Sequence, residues 1–272
     1  MDFEPTCYRE NMSHEAYRAV DALSYSTLKA FHECNAPSKF YDLHLSPSKP
    51  AHHSTPDMEL GSAFHTLVLQ PDLFATTYAK APQIRRGTKE WKDVEASNAG
   101  KTLLKEADWS TIHDMADRVF SNRCTRKLLE NGNAEESFFW QEPTTGRRFK
   151  CRSDFRSGSF VVDLKTCQDA ATAPGSFPKT VKNYKYHWQS YLYSKLIAKV
   201  TGQPVEAFIF IAIEKTYPYL VIPQTLDKEW LKIAEAEVEL EIAAYFQCKE
   251  ENLWKIQEEK IYEIQLPKWG LL

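Results

Sequence analysis

The chain has 272 residues, 43% of them hydrophobic and 13% aromatic, with a formal net charge of −3. That apolar content can bury a full core, which excludes disordered and fibrous classes. No window approaches the roughly 18–20 uninterrupted apolar residues of a membrane span. The opening MDFEPTCYRE also lacks the basic-then-apolar profile of a secretory signal, so a cytoplasmic protein with no membrane partner is expected. Six scattered cysteines (7, 34, 124, 151, 167, 248), with no C-x-x-C and no Cys/His cluster, argue against a disulfide framework or a structural zinc site.

In chain order, LSYSTLKAFHECNAPSKFYDLHL (23–45) reads as helix, with Ser24 or Ser26 as N-cap and a break at Pro37. SPSKPAHHSTPD (46–57) reads as loop, and MELGSAFHTLVLQP (58–71) as a short helix stopped by Pro71. Residues 80–100 mix charge with few apolar anchors, which predicts a mobile or ligand-ordered segment before further helix to about residue 130. A β-rich part spans 135–166, followed by a helix over roughly 184–200, a strand AFIFIAIE (207–214) and its antiparallel partner within 217–225. A long helix starts near Lys228. The pattern is that of one domain over 1–272, with a helical preface (1–57), a core (58–225) and a C-terminal helix and tail (226–272).

The segment CRSDFRSGSFVVDLKT (151–166) sets Asp154, Asp163 and Lys165 among residues of a buried hairpin. A two-residue turn at Ser157-Gly158 pairs 156 with 159. Asp154, Val161, Asp163 and Lys165 then share one face, with Asp154 and Asp163 as diagonal neighbours roughly 7–8 Å apart. Two carboxylates so placed repel unless a cation or a proton lies between them. The strand opened by Glu135 and Glu136 brings a third carboxylate alongside; alternation leaves open which of the two faces inward. Hard oxygen donors with no cysteine and few histidines fit Mg²⁺ or Mn²⁺ better than zinc. Residues 144–199 carry a net charge of +8 and residues 227–263 one of −6, a basic zone around acidic groups suited to a polyanionic substrate.

An acidic residue, then Asp154, then VVDLKT resembles the PD-(D/E)xK nuclease superfamily, with Ser153-Asp154 in place of the literal Pro-Asp. Gln189-x-x-x-Tyr193 in HWQSYLYSKL and His65 in GSAFHTLVL resemble motifs of its RecB-type branch. AEESFFW…TGRRFKCRSD with DLKT resembles the exonuclease VIII (RecE-type) enzymes of prophages, Glu135 matching their acidic position. The resemblance implies an α+β, restriction-endonuclease-like fold with a central mixed sheet flanked by helices. It implies a metal site of His65, Asp154, Asp163 and the Leu164 carbonyl, with Glu135 and Asp154 contributing to a second ion. Lys165 would orient the attacking water or stabilise the phosphorane-like transition state, while Gln189 and Tyr193 would contact DNA. Arg85, Arg86, Lys89, Lys179, Lys182 and Lys185 are the candidates for phosphate contacts. It further implies 5′-to-3′ digestion of double-stranded DNA ends in a bacterial cytoplasm, by a phage- or prophage-encoded, ring-shaped trimer or tetramer that supplies a single-strand annealing recombinase. An endonuclease or other end-processing nuclease on the same core and a non-catalytic DNA-binding protein are the alternatives.

Overall fold

A computed structural model describes residues 6–9, 12–51, 54–85, 87–255, 261 and 263. Strand β1 (Cys7–Arg9) is followed by helices α1 (His14–Ala19), α2 (Tyr25–Cys34) and α3 (Pro37–Phe40), the last continuing as a π-helical turn over Tyr41–Leu45. Next come α4 (Pro56–Leu69), α5 (Pro71–Thr77), β2 (Tyr78–Lys80), α6 (Lys89–Ser97), β3 (Thr102–Leu104), α7 (Glu106–Ser121) and α8 (Arg123–Leu128). Strands β4 (Asn133–Gln141), β5 (Arg148–Ser157) and β6 (Phe160–Cys167) lead through α9 (Phe177–Asn183) and α10 (Tyr186–Thr201) to β7 (Ala207–Glu214), β8 (Val221–Thr225) and α11 (Lys228–Glu250).

Local chemistry sets these boundaries. Ser24 caps α2 by accepting from the Thr27 N–H at 3.2 Å, and Asn35 closes it in the left-handed region. Helix α4 ends at Leu69 with Gln70 as its cap, so it stops before Pro71 as expected; Pro71 has a second role. It opens α5, where its missing N–H costs nothing in the first turn. Part of the segment expected to be mobile or ligand-ordered forms α6, capped by Thr88 and anchored by the buried Trp91. One aromatic anchor suffices where periodicity is too weak to read.

The main sheet has the order β1-β4-β5-β6-β7-β8, and only β6 and β7 run parallel, joined by the crossover through α9 and α10. One face packs Phe138, Cys151, Val161, Phe208 and Phe210 against Trp188 and Leu192 of α10 and Val238 and Ile242 of α11. The other packs Phe155, Val162, Leu164, Ile211 and Ile213 against Phe64 of α4 and Ile112 and Met115 of α7.

The β5–β6 hairpin departs from the expected register. Ser157 pairs with Phe160, Arg156 with Val161 and Phe155 with Val162, so the turn is Gly158-Ser159, with Gly158 at a φ of 57°. A shift of two residues preserves which side chains share a face and moves Asp154 from diagonal to directly across from Asp163. The ladder ends one pair short of that position.

A second irregularity lies beside it. The β4–β5 register is continuous on both sides but omits the pair Glu135–Asp154, and Glu135 has a φ of 55°. Alternation therefore breaks in both strands. Phe138 and Cys151 face the α10 side, whereas Ala134 and Phe155 face the α4 side. The sheet opens where Glu135, Asp154 and Asp163 line up across three strands.

Candidate active site

The opening is occupied by polar groups drawn from both faces of the sheet. Asp154 Oδ2 accepts the Leu164 N–H at 2.8 Å, taking a donor that the terminated ladder leaves free. From the α4 side, His65 Nδ1 lies 3.5 Å from the same oxygen, and the Leu164 carbonyl bears on the His65 ring. From the α10 side, Gln189 Nε2 donates to Asp163 Oδ1 at 2.6 Å. Lys165 forms an ion pair with Asp163 Oδ2, an oxygen that finds no directed hydrogen bond, and its ammonium sits 4.6 Å from the centroid of the Tyr186 ring.

Burial makes this cluster electrostatically uneasy. Desolvation is the largest influence on each carboxylate. It raises Glu135 to about 7, with Asp154 adding to the rise and Arg152 opposing it. It raises Asp163 to about 6 against the pull of Lys165, and it raises Asp154 against Lys165 and the Leu164 N–H. For Lys165, burial works downward, but Asp163, Tyr186 and Asp154 carry its pKa above the usual lysine value. Burial and then Lys165 lower His65 to about 4, which leaves a neutral imidazole able to act as a ligand.

Among the described residues no three His, Cys, Asp or Glu side chains are already gathered as a metal cage. Lys165 and Gln189 hold Asp163 in their place. The donors nonetheless fit a hard divalent cation: carboxylate oxygens from Asp154 and Asp163, a backbone carbonyl at Leu164 and one neutral imidazole at His65. A cation there would offset the desolvation that raises all three carboxylates and the repulsion that adds to it at Glu135 and Asp163.

The two neighbouring glutamates are separated by their partners. Glu135 faces the cluster, 3.9 Å from Arg152 Nη1, whereas the fully buried Glu136 is gripped by Arg156 through two hydrogen bonds of 2.6 and 3.0 Å. Tyr193 lies close enough for Asp163 and Asp154 to act on its hydroxyl, whose pKa burial pushes well above the usual range. Gln189, expected to touch DNA, is buried and bonded to Asp163, so it positions a carboxylate. Of the phosphate candidates, Arg85, Lys89, Lys179 and Lys182 are exposed and Arg86 lies outside the described residues. Lys185 is committed elsewhere: it lies 3.4 Å from Glu237 and over the Trp188 ring.

Much of the basic zone is likewise used internally. Arg147 pairs with Glu250, Lys185 with Glu237 and Lys195 with Glu239, so the acidic α11 neutralises part of it. Lys150 donates to the carbonyls of Tyr17, Arg18 and Val20. Sequence reasoning missed Arg152, which is buried, bonds Ser137 Oγ at 2.8 Å and the Met12 carbonyl at 2.9 Å, and lies over the Tyr17 ring. Its signal was an arginine two residues before Asp154, on a strand facing Glu135.

A mixed sheet flanked by helices, with an acidic cluster and a D-x-K strand at its opening, is the architecture of PD-(D/E)xK nuclease-like proteins. The family model for a PDDEXK-like domain of unknown function (DUF3799) matches residues 24–266, and the chain belongs to that family. A solved structure from Eubacterium rectale, described as a "putative exonuclease", is similar in fold, with a TM-score of 0.64 at 14% sequence identity. The match covers 97% of this chain and 98% of that one. No curated protein matches. Among the described residues no helix is long and apolar enough to cross a membrane.

Proposed function

We propose that the chain is a divalent-metal-dependent deoxyribonuclease. Within that class we read it as a RecE-type exodeoxyribonuclease that degrades linear duplex DNA from 5′ to 3′ and leaves a 3′ single strand for an annealing recombinase. A ring-shaped trimer or tetramer in a bacterial cytoplasm, from a phage or prophage source, belongs to the same proposal. The observation that carries the reading is the convergence of His65, Asp154, Asp163, Lys165 and Gln189 at one opening in the sheet. Membership of a PDDEXK-like family and the description of the similar solved structure as an exonuclease support it.

Asp154, Asp163, the Leu164 carbonyl and His65 are the groups that would hold Mg²⁺ or Mn²⁺, with Glu135 and Asp154 available to a second ion. Such an ion supplies a water of lowered pKa and offsets charge gathering on the scissile phosphate. Lys165, kept protonated by its surroundings, brings a positive point charge to the phosphate oxygens. Gln189 fixes the rotamer of Asp163, and Arg152 holds Glu135 toward the opening.

The test is end-labelled linear duplex and closed circular duplex incubated with Mg²⁺. Release of the 5′ label first, with the circle intact, is the expected result; degradation of the circle selects an endonuclease. One observation favours a non-catalytic DNA-binding protein: both Asp163 oxygens face internal donors, Gln189 and Lys165. Asp163→Ala and Lys165→Ala decide that case, since a binder has no cleavage to lose.

A further inference from the structure

Beside Lys165 the surface carries an aromatic step that the catalytic reading does not use. Tyr184 and Tyr186 stack with centroids 5.6 Å apart and planes 19° from parallel. Residues two apart on a helix do not face one another. Here the intervening Lys185 takes a left-handed conformation, φ 59° and ψ 33°, which a lysine adopts at a cost of roughly 1–2 kcal/mol. Held strain of this kind gathers at working sites. Lys185 is kept there by the Glu237 and Trp188 contacts of its side chain and by the Trp188 N–H, which donates to its carbonyl at 2.9 Å. The Tyr25 hydroxyl donates to the Tyr184 carbonyl at 2.5 Å and fixes the step from the α2 side.

The inner ring, Tyr186, is covered by Phe210 and by the Lys165 ammonium. The outer ring is different. Tyr184 is 52% exposed. Positive charge surrounds it: Lys29 Nζ lies over its ring, 5.2 Å from the centroid, where a stacking base would displace it toward the phosphates; Lys29 is itself paired with Glu33 at 3.4 Å, and the exposed Lys179 and Lys182 project from α9 just before it. An aromatic face with lysines beside it is the arrangement that binds unpaired nucleobases, the ring taking the base and the ammonium groups its phosphates.

We propose that Tyr184, supported by Tyr186, stacks on the unpaired base of the nucleotide adjacent to the scissile phosphate. The substrate strand therefore enters this site unpaired from its complement. This rests on the nuclease reading above and names the form of DNA that the site receives.

The experiment has two arms. In the first, a single-stranded oligonucleotide carrying 2-aminopurine is bound in EDTA, where no cleavage occurs. Wild-type protein quenches the fluorophore at the stacked position, Tyr184→Trp and Tyr184→Phe retain the quench, and Tyr184→Ala loses it. In the second, cleavage with Mg²⁺ is compared on DNA with and without an abasic site next to the scissile phosphate. Stacking of about 1–3 kcal/mol predicts a loss of roughly 5–150-fold in kcat/KM for Tyr184→Ala on intact DNA and almost none on abasic DNA. Equal losses on both substrates, or quenching that survives Tyr184→Ala, overturn the proposal. Quenching by wild type without cleavage in either divalent ion sinks the nuclease reading and leaves the stacking site standing.

Discussion

Two acidic groups one residue apart on β4 have opposite surroundings. Glu136 is buried, bonded twice by Arg156 and approached by Asn133 Nδ2 at 3.2 Å, so each of its oxygens has a donor. Glu135 takes a left-handed backbone, meets Arg152 only at 3.9 Å and shares its site with Asp154 and Asp163. The first arrangement is complete and has no use for a ligand. The second leaves three carboxylates under mutual repulsion, a state that a divalent ion would settle.

Breaking that contrast starts with Asp163→Asn, which removes a proposed metal-holding oxygen and is expected to lower the cleavage rate by about 10³-fold. Lys165→Ala is expected to cost about 10²-fold with little change in DNA affinity, read as a fall in kcat. Gln189→Ala acts through Asp163 and should cost about 10-fold, accompanied by a higher Mg²⁺ concentration for half-maximal activity.

Arg156→Ala works in the other direction. It strands a buried Glu136 and is expected to lower stability by about 3 kcal/mol, seen as a fall in Tm, while cleavage per folded molecule is unchanged. Glu135→Gln sharpens the comparison. The folded pKa of Glu135, about 7, lies above its ordinary 4.5. Between those values the unfolded chain gives up its proton first, so stability falls as pH rises through that window. Without divalent ions the substitution should therefore raise Tm by a few degrees at pH 8 and hardly at pH 5, as measured by thermal melts of both proteins. A rise at both pH values would break the assignment.

The distinction between these regions was only partly legible in the sequence. The parity of the hairpin, with Asp163 and Lys165 on one side, follows from alternation and survived a register error of two residues because the side-chain period is two. Strand β7 and α11 were readable from an unbroken apolar run and from Leu231, Ala234, Val238, Ile242 and Tyr245 at helical spacing. The break at Glu135 and Asp154 was not. A left-handed glutamate has no local sequence signal. Pairing between α10 and α11 was equally hidden, since net charge along a chain does not reveal which charges meet in space. The segment 80–100 was misjudged because a single buried Trp91 anchors its helix.

Calorimetric titration of Mn²⁺ into the wild-type protein and into Asp163→Asn at pH 6, where the raised carboxylates still hold protons, tests the central claim most directly. The account predicts saturable uptake by the wild type, with protons released as the raised carboxylates ionise, and loss of that uptake in the variant. Absence of uptake by the wild type, or equal uptake by both proteins, would contradict it.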